Sequence, residues 1–229
     1  MSSKRYRELR EKVNPNKKYS LEEGATLISQ MGGKRYDHGV EVSLRLGVDA
    51  KQSDQQVRGA ANLPHGLGKK VTVVAFAKGQ KEKEAQDAGA DFVGGDDLVQ
   101  KINEGWTDFD KVVATPDMMV AVSKVGKILG PRGLMPNPKT GTVTFDIGKA
   151  VTECKAGKVS FKTEKAGILH CSVGKVSFGP EKILQNVKLL IEEVSKLKPA
   201  ACKGTYLKGL TLSATHSPGV RIDMASVVV

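Results

Sequence analysis

The stretch Lys127-Ile-Leu-Gly-Pro-Arg-Gly-Leu-Met-Pro-Asn-Pro-Lys-Thr-Gly-Thr142 holds three Pro and three Gly in sixteen residues. Pro lacks the backbone donor and Gly lacks backbone restraint, so the stretch is predicted to be a stiff loop. From Met118 to Phe145 there is no Asp or Glu, and the charges are those of Lys124, Lys127, Arg132 and Lys139. Such a loop suits close approach to an anionic surface. A surface connection with incidental charge is the alternative, and composition alone favours neither.

The segments around this loop alternate between apolar runs and amphipathic stretches, which indicates a parallel sheet with helices. Strands are predicted over 71–77, 91–93 and 111–115, and helices over 80–88, 96–104, 116–128 and 146–154. The middle of the chain therefore predicts a three-layer α/β domain.

Towards the two chain ends the pattern is different. Helices are predicted in the first fifteen residues, over 20–28 and from Phe178 onward, and strands over 40–48, 206–214 and 220–223. Residues 159–162 and 167–173 are predicted to pair as a hairpin, and 49–67 is interpreted as an irregular polar stretch ending in a hinge.

Neither end has enough apolar residues to bury a core alone, and 229 residues suffice for two domains. The economical arrangement is a discontinuous α+β domain from residues 1–67 and 159–229. An α/β, Rossmann-like domain from residues 68–158 is then inserted through paired linkers at about 66–69 and 155–158, which form a hinge.

The net charge of +11 and the pI near 9.5 point to a polyanionic partner. Nucleic acid, an anionic membrane face and an acidic protein all satisfy this. Aromatic residues make up only 5% of the chain, so an RNA-binding protein of this composition would recognise shape, backbone and ribose more than stacked bases.

Cysteine usage and segment hydropathy exclude several classes. Cys154, Cys171 and Cys202 form no CxxC pair and have no His at ligand spacing, which predicts free thiols without a zinc site or a disulfide framework. The N-terminus has no apolar signal core, and no apolar run approaches the roughly 20 residues of a membrane span. We expect a soluble, cytoplasmic protein with no membrane partner, metal or cofactor.

Enzyme motifs are lacking. The His65 to Lys69 segment fails the phosphate-loop pattern, the first strand of the α/β region lacks G-x-G-x-x-G, and no His lies at a triad spacing. Asp96 and Asp97 are explained by the start of a helix. An α/β enzyme that uses the basic loop as an anion clamp remains the alternative function. A membrane binder lacks a basic amphipathic helix with a large aromatic face.

The basic residues concentrate towards the C-terminal half. Residues 194–222 hold five Lys or Arg and no acid, and 155–180 hold five Lys against Glu164 alone. This distribution favours polyanion binding by the domain formed from the chain ends.

The loop also resembles a family signature. Gly130-Pro-Arg-Gly-Leu-Met-Pro-Asn-Pro-Lys-Thr-Gly-Thr-Val143 is similar to that of bacterial ribosomal protein L-one, the family of the large subunit's mobile stalk. Further similar segments follow the family order along nearly the whole chain: Ser53-Asp-Gln-Gln-Val-Arg-Gly59, Leu63-Pro-His-Gly-Leu-Gly-Lys69, Ala88-Gly-Ala-Asp91, Ala114-Thr-Pro-Asp117 and Lys203-Gly-Thr-Tyr206.

The resemblance implies a non-enzymatic protein that binds the stalk junction of large-subunit rRNA. It implies that the protein assists the movement and release of deacylated tRNA at the exit site. It also implies repression of the protein's own mRNA through its leader, and a monomer off the ribosome. The RNA-binding residues that it implies, with their neighbours, are Tyr36, Gly39, Lys162, Lys165, Ser213, Thr215, His216, Ser217, Pro218 and Gly219. Arg132 and Lys139 on the loop are expected to add a weaker RNA contact.

Two departures from the family pattern fall within this set. Gly39 lacks the hydroxyl usual at that position, and His216-Ser217 replaces Met-Gly in the turn. Ser lacks the freedom of Gly to let RNA approach closely, but Ser and His side chains can donate to a phosphate or a 2′-hydroxyl, so the contact can be rebuilt rather than lost.

Overall fold

A computed structural model of the chain describes residues 3–33 and 36–227. The helices of this part are α1 Lys4–Glu11, α2 Leu21–Ser29, α3 Gln80–Asp87, α4 Asp96–Asn103, α5 Met119–Lys124, α6 Gly126–Leu129, α7 Ile147–Ala156 and α8 Gly179–Lys196. The strands are β1 Gly39–Leu46, β2 Arg58–Asn62, β3 Val73–Phe76, β4 Phe92–Gly94, β5 Lys111–Ala114, β6 Lys158–Lys162, β7 Ile168–Lys175, β8 Leu207–Ala214 and β9 Val220–Ile222. The mixed α/β character predicted from the sequence is confirmed.

By their internal contacts the residues form two compact units. The first contains residues 1–68 and 159–229, and the second contains residues 69–158. Each unit has its own hydrophobic core, and each is described separately below.

The first unit is built on a four-stranded antiparallel sheet with the order β7-β1-β8-β9. The alternate residues Val42 and Leu44 of β1 are fully buried between their partners on β7 and β8. Helices α2 and α8 pack together and supply buried apolar side chains to the same core. The period of two in β1 therefore leaves the other face of the sheet to polar residues.

Local sequence explains why α2 and α8 lie where they do. Ser20 and Glu23 form a reciprocal capping box at the start of α2. A Cβ on Gly24 would lie 2.3 Å from Cδ1 of Ile222, so glycine lets α2 approach β9 closely. In α8, Pro180 occupies the first turn, where it is tolerated, and the predicted apolar face from Ile183 to Val194 is buried.

The hairpin predicted over 159–173 is wrong. Strand β6 pairs with β2 in a separate two-stranded sheet, whereas β7 pairs with β1, and a single bridge between Thr163 and Leu169 links the two segments. Thr163 explains the change of partner, since its N–H donates to the Val57 carbonyl and its hydroxyl accepts from the Val57 N–H. Strand β2 itself was hidden from the sequence because its residues are small or polar.

The second unit is a parallel sheet with the order β4-β3-β5 between two helical layers. Val74 and Phe76 of β3 face the core formed with α4, α5 and α6, and Val73 and Ala75 face the core formed with α3 and α7. The three layers predicted for the middle of the chain are present. Helix α6 includes residues 127–129, so the predicted loop begins later, at Gly130.

Of the two segments predicted as linkers, the one at 155–158 is shorter than expected. Helix α7 runs to Ala156 and β6 begins at Lys158, which leaves Gly157 alone between them, with the positive φ of 111° that favours glycine. In the other segment, a Cβ on Gly68 would lie 2.8 Å from the Phe178 ring. The domain division and the hinge stay predictions.

Candidate nucleic-acid interface

Four strand ends of the first unit meet at one edge of its sheet, which we call the turn edge. Here β1 and β9 begin, β7 and β8 end, and the turn 215–219 joins β8 to β9. Both the N–H and the hydroxyl of Thr215 donate to the Gly39 carbonyl, at 3.0 and 3.3 Å. The predicted residues Gly39 and Thr215 are therefore in direct contact, and Ser213 lies opposite Glu41, one pair before the end of the β1–β8 ladder.

The turn is closed from within by Ser217. The Ala214 N–H donates to the Ser217 hydroxyl at 2.9 Å, and the Ser217 N–H donates to the Ala214 carbonyl at 3.0 Å. Pro218 is buried, and a Cβ on Gly219 would lie 2.9 Å from Cγ2 of Thr211, so the turn lies tightly on β8.

The left-handed residue of the turn is not Ser217. The residue with positive φ in this turn is His216, at 56°, and Ser217 has no such conformation. A left-handed non-glycine residue is uncommon, although His is among the residues that adopt it more readily. Ser217 is therefore compatible with the backbone conformation of the turn, and its hydroxyl stabilises the turn by accepting a hydrogen bond from the Ala214 N–H.

Tyr36 lies beside this edge with 76% of its surface exposed. The next residue, Asp37, accepts hydrogen bonds from the Ser177 N–H and hydroxyl at 3.1 and 2.7 Å, and it lies 3.7 Å from the Lys175 ammonium. Burial raises the pKa of Asp37, but these hydrogen bonds and the Lys175 charge outweigh it and hold the pKa below its ordinary value of 3.8. Asp37 therefore ties the chain that carries Tyr36 to the end of β7.

The outer face of the four-stranded sheet is uncovered and polar, and we call it the open face. Its residues from β1, β7, β8 and β9 are partly or fully exposed: Glu41, Ser43, Arg45, His170, Ser172, Thr211, Ser213 and Arg221. Cross-strand register places Glu41 between Ser172 and Ser213, and Ser43 between His170 and Thr211. The Ser43 hydroxyl and the His170 Nδ1 are 3.0 Å apart. Hydroxyl, imidazole and carboxylate groups therefore line one surface.

Lys162 and Lys165 do not join the turn edge. Both are exposed, and the Lys165 turn lies at the opposite end of β1, where the Leu46 N–H donates to the Gly167 carbonyl. The eight residues of β1 extend over roughly 25 Å. The open face lies between the turn edge and the Lys165 turn. Its residue His170 is 3.9 Å from Glu164, which is next to Lys165.

The proline-glycine loop, residues 130–142, forms the candidate secondary contact in the second unit. Asn137 organises it, because its side-chain oxygen accepts from the Lys139 N–H at 2.8 Å and its carbonyl accepts from the Thr140 hydroxyl at 3.0 Å. Thr142 connects the loop to the sheet, as its carbonyl accepts from the Ala114 N–H. Arg132 and Lys139 are exposed, and the Arg132 guanidinium donates to the Thr107 hydroxyl.

The two units differ in charge. The sequence of the first holds 22 Lys and Arg against 13 Asp and Glu, and that of the second holds 14 against 12. Most of the positive charge that would attract a phosphate backbone therefore belongs to the unit with the open face.

Residues 3–33 and 36–227 offer neither a metal-binding cluster nor a membrane-spanning helix. No group of three or more His, Cys, Asp and Glu side chains there has an arrangement that could hold a metal ion. No helix in those ranges is long and apolar enough to cross a membrane. Cys154, Cys171 and Cys202 are buried, and burial raises the pKa of the Cys154 thiol.

Sequence reasoning missed part of this surface. Glu41, Ser43 and His170 were not among the predicted residues, although the alternation of β1 already placed Glu41 and Ser43 on its polar side. Their partners on β7 and β8 could not be found, because antiparallel register depends on the assembled sheet. The anchoring role of Asp37 had no sequence signal.

Comparison with known proteins identifies close relatives. The model of the Ribosomal protein L1p/L10e family matches residues 9–218. The large ribosomal subunit protein uL1 of Solidesulfovibrio magneticus is 58% identical over 224 residues, covering 98% of this chain and 95% of that protein. The protein of the same name from Bdellovibrio bacteriovorus is 56% identical over 223 residues, covering 97% of this chain and 95% of its own length.

Proposed function

Because the chain belongs to the Ribosomal protein L1p/L10e family, we propose that it binds the stalk junction of large-subunit rRNA through its first unit. Membership makes it a non-enzymatic component of the large ribosomal subunit, located with the cytoplasmic ribosome. The resemblance found in the sequence is thereby confirmed at the level of the family.

The observation that carries the RNA proposal is the open face with its two ends. The turn edge presents Thr215, His216 and Tyr36, and the other end presents Lys162 and Lys165. Between them lie hydroxyl groups that can both donate to and accept from ribose 2′-hydroxyls and phosphates. A structured RNA can contact both ends at once, whereas a short single strand would contact one.

In this proposal, charge contributes general affinity for RNA and the arrangement of the hydroxyl groups contributes specificity. The lysines and arginines of the first unit release counter-ions from the phosphate backbone and supply affinity that any RNA shares. The hydroxyl groups, fixed by strand register and by the Thr215 contact with Gly39, supply the preference for one RNA shape. The scarcity of aromatic residues agrees with recognition of backbone and ribose.

The roles in tRNA release and translational control follow from the same surfaces. We infer that a leader in the protein's own mRNA, folded like the stalk junction, competes for the open face and so permits repression. Arg132 and Lys139 on the exposed loop supply the weaker contact, to rRNA or exit-site tRNA, and the hinge between the predicted domains lets that contact move.

The test is binding of the purified protein to a stalk-junction rRNA fragment at near-physiological salt, with excess tRNA as competitor. A duplex of equal length without the junction is the matched control RNA. We expect tight binding to the junction that survives competition and weak binding to the duplex that does not. Equal loss of both complexes under competition would leave only non-specific charge and overturn the proposal.

The proposed binding of the protein's own mRNA is tested by the same assay, with the leader RNA as competitor. If repression operates through the open face, unlabelled leader displaces the junction fragment whereas the duplex does not. Simultaneous binding of leader and junction to one protein molecule would contradict a shared site.

A further inference from the structure

We propose that helix α1 extends the RNA-binding surface and that a hollow between α1 and the turn edge takes one nucleotide. Ser3, Arg5, Tyr6 and His216 line this hollow. The inference rests on the proposed function, and it adds the first residues of the chain to a surface that the sequence resemblance confined to later ones.

The hollow is continuous with the predicted contacts. His216 belongs to the turn whose neighbouring Thr215 is bonded to Gly39. On the α1 side, the Arg5 guanidinium donates to the Met31 carbonyl at 2.7 Å, just before the Gly32 and Gly33 that border Tyr36. Arg5 thus lies between the Tyr36 region and His216.

The walls are held in place independently of any ligand. The Ser3 hydroxyl accepts from the Tyr6 N–H and caps α1, and Leu9 and Val13 anchor the segment in the core. His216 is held at positive φ by the closed turn, and within the described residues its side chain makes no hydrogen bond. Non-glycine residues in this conformation often belong to functional sites.

The chemistry of the lining fits a nucleotide. Tyr6 and His216 offer planar rings on which a base can stack, and Arg5 offers a fixed cation for the adjoining phosphate. Among the described residues, none that lines the hollow carries a carboxylate, so an anionic group meets no repelling charge from them. Ser3 adds a hydroxyl of the kind that bonds ribose.

The test compares variants for binding of the stalk-junction fragment and for nucleotide-resolved 2′-hydroxyl reactivity of the bound RNA. Stacking of one base contributes roughly 1–3 kcal/mol, so Tyr6→Ala is expected to weaken binding about tenfold. One nucleotide protected by the wild type should become reactive in that complex. Tyr6→Phe keeps the ring and should bind like the wild type.

Charge is controlled by a matched pair on the same helix. Arg5→Gln and Arg10→Gln each remove one positive charge, but only Arg5 lines the hollow, and Arg10 is exposed elsewhere on α1. Arg5→Gln should lower RNA affinity about fivefold more than Arg10→Gln does. It should also make the same nucleotide reactive that becomes reactive in the Tyr6→Ala complex. Thermal unfolding followed by circular dichroism verifies that each variant keeps the overall fold.

The outcomes separate the two proposals. If the wild type binds the junction but Tyr6→Ala binds equally well with an unchanged reactivity pattern, the nucleotide subsite is wrong and the proposed function stands. If the wild type itself fails to discriminate the junction from the duplex, both fail. Equal losses for Arg5→Gln and Arg10→Gln would also overturn the subsite, since only general charge would then be at work.

Discussion

The turn 215–219 and the proline-glycine loop 130–142 both contain Pro, Gly and Thr, but their polar groups form different contacts. In the turn, Ser217 closes the backbone while Thr215 and His216 remain exposed at the end of the open face. In the loop, Asn137, Thr140 and Thr142 bond mainly to each other, and the exposed groups are Arg132 and Lys139.

The difference indicates that the residues of a recognisable sequence signature can serve the fold of a loop, whereas a less conspicuous turn can leave its polar groups exposed. The loop is the most recognisable stretch of sequence, yet its polar residues Asn137, Thr140 and Thr142 bond to one another, and its end pairs with Ala114 of the second unit's sheet. The turn is less conspicuous in sequence but places hydroxyl groups where RNA can reach them. We therefore expect substitutions in the two regions to affect different measurements.

The largest contrast is expected between Thr215→Val and Thr140→Val. Thr215→Val removes an exposed hydroxyl from the turn edge and its bond to Gly39, and we expect the affinity for the junction fragment to fall about tenfold or more. Thr140→Val removes a buried hydroxyl bonded to Asn137, and it should lower the free energy of unfolding by about 1 kcal/mol without changing RNA affinity.

Fluorescence anisotropy with the junction fragment and thermal unfolding of both variants check this contrast. Unchanged RNA binding by Thr215→Val would show that the turn edge is not the contact. A loss for Thr140→Val as great as that for Thr215→Val would remove the distinction between the two regions.

Paired charge substitutions give the next contrast. Removing Lys162 and Lys165 together with Gln should reduce the salt dependence of junction binding by about two units of logarithmic slope and lower affinity several-fold. Removing Arg132 and Lys139 in the same way should leave the isolated junction complex nearly unchanged, because they lie in the second unit. A salt titration of both double variants decides between them, and equal slopes would contradict the division of tasks.

The sequence predicted most elements because their signals are local. The capping box at Ser20, the apolar face of α8 and the alternation in β1 each required only neighbouring residues. The failure at β6 has a long-range cause, since Thr163 bonds to Val57, which lies 106 residues earlier. Strand β2, made of Arg, Gly, Ala and Asn, has no hydrophobic pattern that could have predicted its pairing.

The candidate site was only partly predictable for the same reason. Thr215, His216 and Gly39 came from the resemblance, and the structure brings them together. The open face depends on the register of three strands from distant parts of the sequence, which places Ser43 beside His170 and Thr211. The resemblance also gave no reason to connect α1 with His216.

Smaller changes in stability and RNA affinity are expected from substituting Ser217 in the turn and Asn137 in the loop, whose side chains bond to the local backbone. Ser217→Ala leaves the Ala214 N–H without its acceptor, which should cost about 1 kcal/mol and lower RNA affinity about threefold. Asn137→Ala removes the acceptor for the exposed Lys139 N–H, which water can replace, so the loss of stability should be smaller and RNA affinity unchanged. Unfolding and binding curves of the two variants test this order, and a larger RNA effect for Asn137→Ala would reverse the comparison.

The smallest effect concerns pH. The pKa of Asp37 is held below 3.8, so its bonds to Ser177 and Lys175 stabilise the folded state above that pH. The stabilisation is lost as the pH falls through the lower pKa of the folded state, because the protonated carboxyl loses the ionic contribution. Asp37→Asn should therefore lower the melting temperature slightly at pH 7, and its difference from the wild type should shrink as the pH falls below 3.8 and through the lower pKa of the folded state.

The proline-glycine loop supplies the control for this last prediction. It contains no Asp or Glu, so the difference in melting temperature between Asn137→Ala and the wild type should not depend on pH over the same range. A constant difference for Asp37→Asn would show that the carboxylate does not hold the Tyr36 segment through its charge. In that case no ionic interaction would distinguish the turn edge from the loop, and the two regions would differ only in the exposure of their hydroxyl groups.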